Sequence, residues 1–116
     1  FKHVDKEFVK NNYNKDDIIL VTQNKHNDEY CEMFSHLEKY RILCTSGEYN
    51  TGHISYEKPN ISKANYSFRH GFTVHSVQGS TFTNNIYIDM RNMTSTRHFY
   101  TAISRAKTFN QIHLIF

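Results

Sequence analysis

Three groups of residues in this 116-residue chain have types and spacings that bear on chemistry. The first is Gly47-Glu48-Tyr49-Asn50-Thr51-Gly52, which has the two-glycine spacing of a phosphate-cradling loop and follows an apolar run. Such a loop continues into Lys and then Ser or Thr, because the lysine meets the outer phosphates and the hydroxyl binds Mg2+. Here the next residues are His53-Ile54, and Ile54-Ser55-Tyr56-Glu57 reads as extended rather than helical. Both glycines are therefore expected in turns. The second group is the histidines and cysteines. His26, His36, His53, His70, His75 and His98 show no i, i+4 pairing and no Cys-x-x-Cys beside them, so surface or hydrogen-bonding roles are expected and no metal site. Cys31 and Cys44 make no disulfide framework; they read as reduced, intracellular thiols, with Cys44 in a buried strand. The third group is a pair of blocks, Thr73-Val74-His75-Ser76-Val77-Gln78-Gly79-Ser80-Thr81-Phe82 and Phe99-Tyr100-Thr101-Ala102-Ile103-Ser104-Arg105-Ala106-Lys107.

These two blocks resemble motifs V and VI of superfamily 1 helicases, in particular the C-terminal domain of the RecD-like and UvrD-like enzymes. That family's motif V reads T-[VIF]-H-x-x-Q-G-x-T-F and its motif VI Y-[TV]-A-[ILV]-[ST]-R-A. Both patterns are met nearly throughout, and in the family's order. The resemblance is close from Phe68 to Phe116. It is loose over Ile18–Asn27, which is similar to motif IV, and residues 1–15 and 45–66 have no counterpart.

The resemblance implies a RecA-like domain that carries half of an ATP site. In such motors ATP is cleaved between two RecA-like domains. One supplies the phosphate loop and the Mg2+-binding acids, and the other supplies an arginine that meets charge developing on the γ-phosphate. By resemblance that arginine is Arg105, a role worth roughly 10³–10⁵ in rate, or about 4–7 kcal/mol of barrier. A planar, permanently charged fork suits the task, and a helix with an apolar face is expected to hold it in place. The resemblance places Gln78 and Gly79 near the nucleotide, where glycine permits close approach and the amide orients water or touches a phosphate. It places Thr73, His75 and Ser76 towards a nucleic-acid track, where short polar donors hold phosphates without reading sequence. Plain strand packing stays open for Thr73 and Phe82. The family often has lysine after the motif V histidine; Ser76 stands there, so a phosphate contact would lose charge. Arg97 has no assigned role. Lys25, in Gln23-Asn24-Lys25, would sit at the carboxyl end of the first strand, where ligands meet open α/β sheets. Assistance at the phosphates and an ordinary surface position are both open for it, and Asn24 is a candidate helix cap.

No G-x-x-x-x-G-K-[ST] occurs, and the one Asp-Glu pair, Asp28-Glu29, lies in a polar helical stretch. ATP and Mg2+ are thus expected to be bound mainly by an N-terminal RecA-like domain outside these residues. The partners implied are that domain and single-stranded DNA, with RNA open as the alternative substrate of a viral-type helicase. Alone, the chain is expected neither to hydrolyse ATP nor to unwind a duplex. A nucleic-acid-binding or protein-docking module without motor function is the competing reading.

The elements that must position these residues follow from patterning. The chain is 38% hydrophobic and 15% aromatic, which fits a single folded domain over 1–116 and not a disordered segment. Its longest aliphatic run, Ile18–Val21, is far too short to cross a membrane. Residues 1–62 carry 8 Lys/Arg and 10 Asp/Glu, whereas residues 63–116 carry 6 Lys/Arg and one acid, Asp89. That basic half, which holds both blocks, suits an anionic partner. The Asn/Lys/Ile/Tyr-rich composition points to an AT-rich genome such as that of a virus or mobile element. A short helix is expected over 2–13, a strand at 18–22, and an amphipathic helix over 25–40 with Tyr30, Met33, Phe34, Leu37 and Tyr40 on one face. A second strand, 40–44, would complete a parallel βαβ unit. Residues 45–66 read as an irregular insertion with a small strand or hairpin near Ile54. Strands at 72–74 and 86–89, a helix over 95–106 and a closing strand at 112–116 complete an α/β fold with a mainly parallel sheet, RecA-like and lacking its own phosphate loop.

Overall fold

A strand with no polar position must be covered on both faces, and Ile18-Ile19-Leu20-Val21 is covered so. The computed structural model describes residues 1–116. Its strands are β1 (Lys2–Val4), β2 (Ile18–Val21), β3 (Tyr40–Ile42), β4 (Ile54–Ser55), β5 (Tyr66–Phe68), β6 (Gly71–Thr73), β7 (Ile86–Asp89) and β8 (Ile112–Ile115). Its α-helices are α1 (Lys6–Asn12), α2 (Asn24–Met33) and α3 (Thr96–Ile103). Five strands form one wholly parallel sheet in the order β1-β8-β7-β2-β6. The remaining three form a small antiparallel sheet, β4-β3-β5.

Alternation along β2 divides the core. Ile18 and Leu20 join Phe72, Ile86, Ile88, Ile112 and Leu114 on the face covered by α3 through Phe99, Ala102 and Ile103. Ile19 and Val21 join Tyr87 and Ile115 on the opposite face, under Val9 of α1 and Tyr30 and Phe34 at α2. The expected α/β architecture with a parallel sheet is therefore present as a three-layer arrangement.

The structure corrects several boundaries. Residues 2–13 are not one helix. Lys2–Val4 pair with β8, and Asp5 then accepts a hydrogen bond from the Phe8 N–H (2.8 Å), which starts α1 only after the strand has ended. The helix expected over 25–40 stops at Met33, with Phe34 as its cap, so Leu37 and Tyr40 lie beyond it. Asn24 does not cap α2; Gln23 stands at the cap position, and the Asn24 side chain accepts from Arg69 instead.

The largest correction concerns residues 40–44. They do not pair with β2. The parallel neighbour after α2 is β6, and β3 turns away into the small sheet. Gly71 explains why β6 takes that place. A Cβ added there would lie 3.2 Å from the Asn27 Cα, a contact that would oblige α2 to give by a few tenths of an ångström. Tyr40 and Arg41 are only half-buried, and Leu43 and Cys44 are exposed, which contradicts a buried strand at Cys44. The stretch 45–66 is thus part of a larger excursion that carries the small sheet, with Ile54 in β4 as expected. Gly47 and Gly52 adopt φ +58° and +86°, the turn conformations expected of them.

Candidate nucleotide and nucleic-acid interface

The two motif-like blocks lie side by side. From the carboxyl end of β6 the chain makes a 3₁₀ turn at His75–Val77 and runs back across the sheet to β7. From β7 it enters α3, capped by the Ser95 hydroxyl, and runs in the same direction. The two segments meet along their length. His75 Nε2 and His98 Nε2 share a hydrogen bond of 3.0 Å. Gln78 and Thr101 line one cavity with both histidines and Arg97. Arg105 Nη1 donates to the Ser80 carbonyl at 3.1 Å, and the Phe82 N–H donates to the Arg105 carbonyl at 2.8 Å.

Arg105 lies two residues past the end of α3 rather than on it. Its position is set by its own hydrogen bonds, just after Ala102 and Ile103 anchor the end of α3 in the core. Nε donates to the Thr101 carbonyl (3.2 Å) and Nη2 to the Ser104 hydroxyl (2.9 Å). The guanidinium is half-exposed and has no carboxylate partner. Three neutral acceptors hold a full positive charge in one pose, as preorganised charge stabilisation requires.

Gly79 occupies the third position of a turn. Gln78 has φ −59° and ψ 132°, Gly79 has φ +89°, and the Ser80 N–H donates to the Val77 carbonyl at 3.0 Å. That is a type II turn, which demands positive φ at this residue. The turn leaves Gln78 and Gly79 both exposed. At the other end of the segment, Thr73 closes β6 half-buried, and His75 and Ser76 are exposed. The Ser76 hydroxyl donates to the Thr73 carbonyl (2.8 Å) and accepts from Arg41. Thr73, His75, Ser76, Gln78, Gly79 and Arg105 therefore fall on one strip. Lys25 does not join it. It is exposed in the first turn of α2, with no hydrogen bond or ion pair of its own.

Other polar contacts join residues that are distant in sequence. Asp89, the one acid of the basic half, is buried at the end of β7. Burial alone would raise its carboxyl pKa, but hydrogen bonds from Arg91 and from the Tyr30 hydroxyl (2.6 Å) hold it below the usual range. Arg91 also pairs with Glu29, which pairs with Lys6. Glu29 thus braces α2 to Lys6 of α1 and, through Arg91, to Asp89 of β7. The His75–His98 pairing spans 23 residues and follows no local spacing rule, so only the fold could reveal it. No three His, Cys, Asp or Glu side chains converge as a metal site would need. No helix is long and apolar enough to cross a membrane.

Comparison with known proteins adds little beyond this geometry. No family model matches the chain, and no curated protein does. Among solved structures, unliganded Pif1 from Bacteroides sp is similar over 91% of this chain, with a TM-score of 0.49 and 12% sequence identity. The chain spans 53% of that protein's length.

Proposed function

We propose that this chain is the C-terminal RecA-like part of an ATP-dependent superfamily 1 helicase, which offers Arg105 to ATP held by a second domain and the Thr73–Ser76 end of its strip to a single strand. The observation that carries this reading is the side-by-side run of 75–82 and 98–106. Residues far apart in sequence, each belonging to a motif-like block, share one strip with a carboxylate-free arginine at one end and short polar donors at the other. Strand and nucleotide would then be served by one continuous segment.

The reaction asked of Arg105 is electrostatic. As the γ-phosphoryl leaves, negative charge spreads over its equatorial oxygens, and a fixed guanidinium stabilises it. Arg105 would exchange its bonds to Ser80 and Ser104 for phosphate oxygens, at little reorganisation cost because Thr101 still anchors Nε. Gln78, exposed on the turn, would orient water or touch a phosphate. Lys25 stays a secondary phosphate candidate.

The test is Arg105→Ala in the protein joined to its ATP-binding domain. Steady-state turnover should fall by at least about 10³ while ATP affinity is largely retained. Near-normal turnover would remove the assignment. A nucleic-acid-binding module without motor function has no need of Arg105, so the same measurement separates the two readings. The 116-residue chain alone should show no ATP hydrolysis.

A further inference from the structure

Arg41 of β3 and Arg69, between β5 and β6, are brought together by the small sheet over one buried ring. Their Cζ atoms lie 5.3 and 5.9 Å from the centre of Phe72, which is fully buried. Neither arginine pairs with a carboxylate; the ion pairs of the molecule are Lys6–Glu29, Arg91–Glu29 and Arg91–Asp89. Each is held instead by neutral acceptors. Arg41 donates from Nη1 to the Ser76 hydroxyl (3.2 Å) and from Nη2 to the Ser76 carbonyl (2.7 Å). Arg69 donates from Nε to the Gly71 carbonyl (2.9 Å) and from Nη2 to Asn24 Oδ1. A guanidinium has five N–H donors, so about three on each remain free. Both line an open groove of about 360 Å³ together with Asn24, Thr51, Thr73 and Ser76.

Two cations side by side with no carboxylate in ion-pair contact, and Asp28 acting on Arg69 only at longer range, make an unfavourable pair until an anion joins them. Burial lowers both pKa values, and the Arg69 charge lowers that of Arg41 further, though arginine stays protonated throughout. The stacking on Phe72 and the four anchoring bonds hold the forks in place, and a fork of this kind matches phosphate oxygens.

We propose that this groove seats a backbone phosphodiester of a single-stranded nucleic acid, gripped by Arg41 and Arg69 beside Thr73 and Ser76. The proposal rests on reading Thr73 and Ser76 as part of a strand track. It also answers a difficulty in that reading. Ser76 stands where the resembling family often places lysine, and Arg41 reaches the Ser76 side chain and carbonyl from β3. The charge absent from the motif-like segment is supplied from the small sheet, which gives the excursion over residues 40–70 a function. A strand phosphate fits better than a free nucleotide, because the groove lies at the Thr73 end of the strip, and Gln78 and Arg105 do not line it.

The test is fluorescence anisotropy of the 116-residue chain with a labelled oligothymidine and a labelled mixed-sequence oligonucleotide, across a salt series. Arg41→Gln/Arg69→Gln should weaken binding by about tenfold or more for both sequences, and lower the log–log salt slope by about 1. Lys10→Gln, the same charge lost from α1, should change affinity less than about twofold. If the double Gln variant does not fold, Arg41→Lys/Arg69→Lys keeps the charge and should bind more weakly at an unchanged slope. Unchanged affinity in a folded double variant overturns the phosphate seat and leaves the strand track standing. No binding of either oligonucleotide by the unaltered chain overturns both. Displacement of the oligonucleotides by millimolar inorganic phosphate or ATP, from the unaltered chain only, overturns the strand in favour of a small-anion site.

Discussion

Gly79 shows how one residue type can be required twice, once by the backbone and once by the chemistry assigned to it. Its φ of +89° is the third position of a type II turn, and nothing lies within 4 Å of an added Cβ. The requirement in the free chain is therefore conformational and not steric. Gly79→Ala should cost about 1 kcal/mol through backbone strain alone. Urea denaturation would measure it, and Gly79→Asn should cost less because asparagine tolerates this region better. A variant as stable as the parent would mean that the turn is not held. Arg105 illustrates the opposite case, a residue whose pose depends on its neighbours' carbonyls and hydroxyl. The sequence singles it out as a candidate, but its place beyond the helix end is visible only in the fold. Helix ends are decided by local hydrogen bonding around Ser104, which periodicity does not report.

At the scale of elements, the contact between α2 and β6 decides the topology. Asn27 of α2 accepts hydrogen bonds at one oxygen from the N–H groups of His70 (3.1 Å) and Gly71 (2.7 Å), and Gly71 has no Cβ to hold the helix away. Gly71→Ala should therefore push α2 from the sheet and cost about 1–3 kcal/mol, read as a lower urea midpoint. An unchanged midpoint would show that the helix can yield. The same contact explains what could be read beforehand. The strands β2, β7 and β8 are short apolar runs whose burial follows from composition, and the sequence reading placed all three. The tract 40–44 looked equally apolar, yet it lost the place beside β2 to Gly71–Thr73, since the deciding feature was a missing side chain and not a hydrophobic one. The cap at Asp5, which separates β1 from α1, was missed for a similar reason: one hydrogen bond outweighed a loose helical pattern. Of the candidate site, the two blocks were legible as strings. Their parallel run was not, nor was the pair of arginines 28 positions apart that meets over Phe72.

For the whole molecule, the junction between the two sheets depends on buried polar groups with uneven proton demands. Lys39 is fully buried, with Nζ donating to the Tyr13 hydroxyl (3.0 Å) and the Asp17 carbonyl. Burial lowers its pKa from 10.5 to about 7, opposed in part by Asp17 and Asp16. His70, also fully buried, is lowered by burial from 6.5 to about 4. Both groups bind protons more readily in the unfolded chain. Stability should thus rise with pH from about 4 to 6.5 through His70 and from about 7 to 10.5 through Lys39, at up to about 1.4 kcal/mol per pH unit for each. Lys39→Met should flatten the second rise in a series of urea midpoints, and an unflattened profile would contradict the buried, neutral lysine. The sheet order has a further consequence, in the timing of folding. Strand β8, about 110 residues after β1 in sequence, lies between β1 and β7, and the Phe116 N–H bonds to the Val4 carbonyl. During synthesis, β1 therefore has no partner in the sheet until Ile112–Ile115 have emerged. Contacts this distant in sequence close slowly, because a long loop must be ordered before they form. Strand β1 is thus among the last of the sheet to be secured, and the apolar edge of β7 stays open to aggregation until β8 has paired.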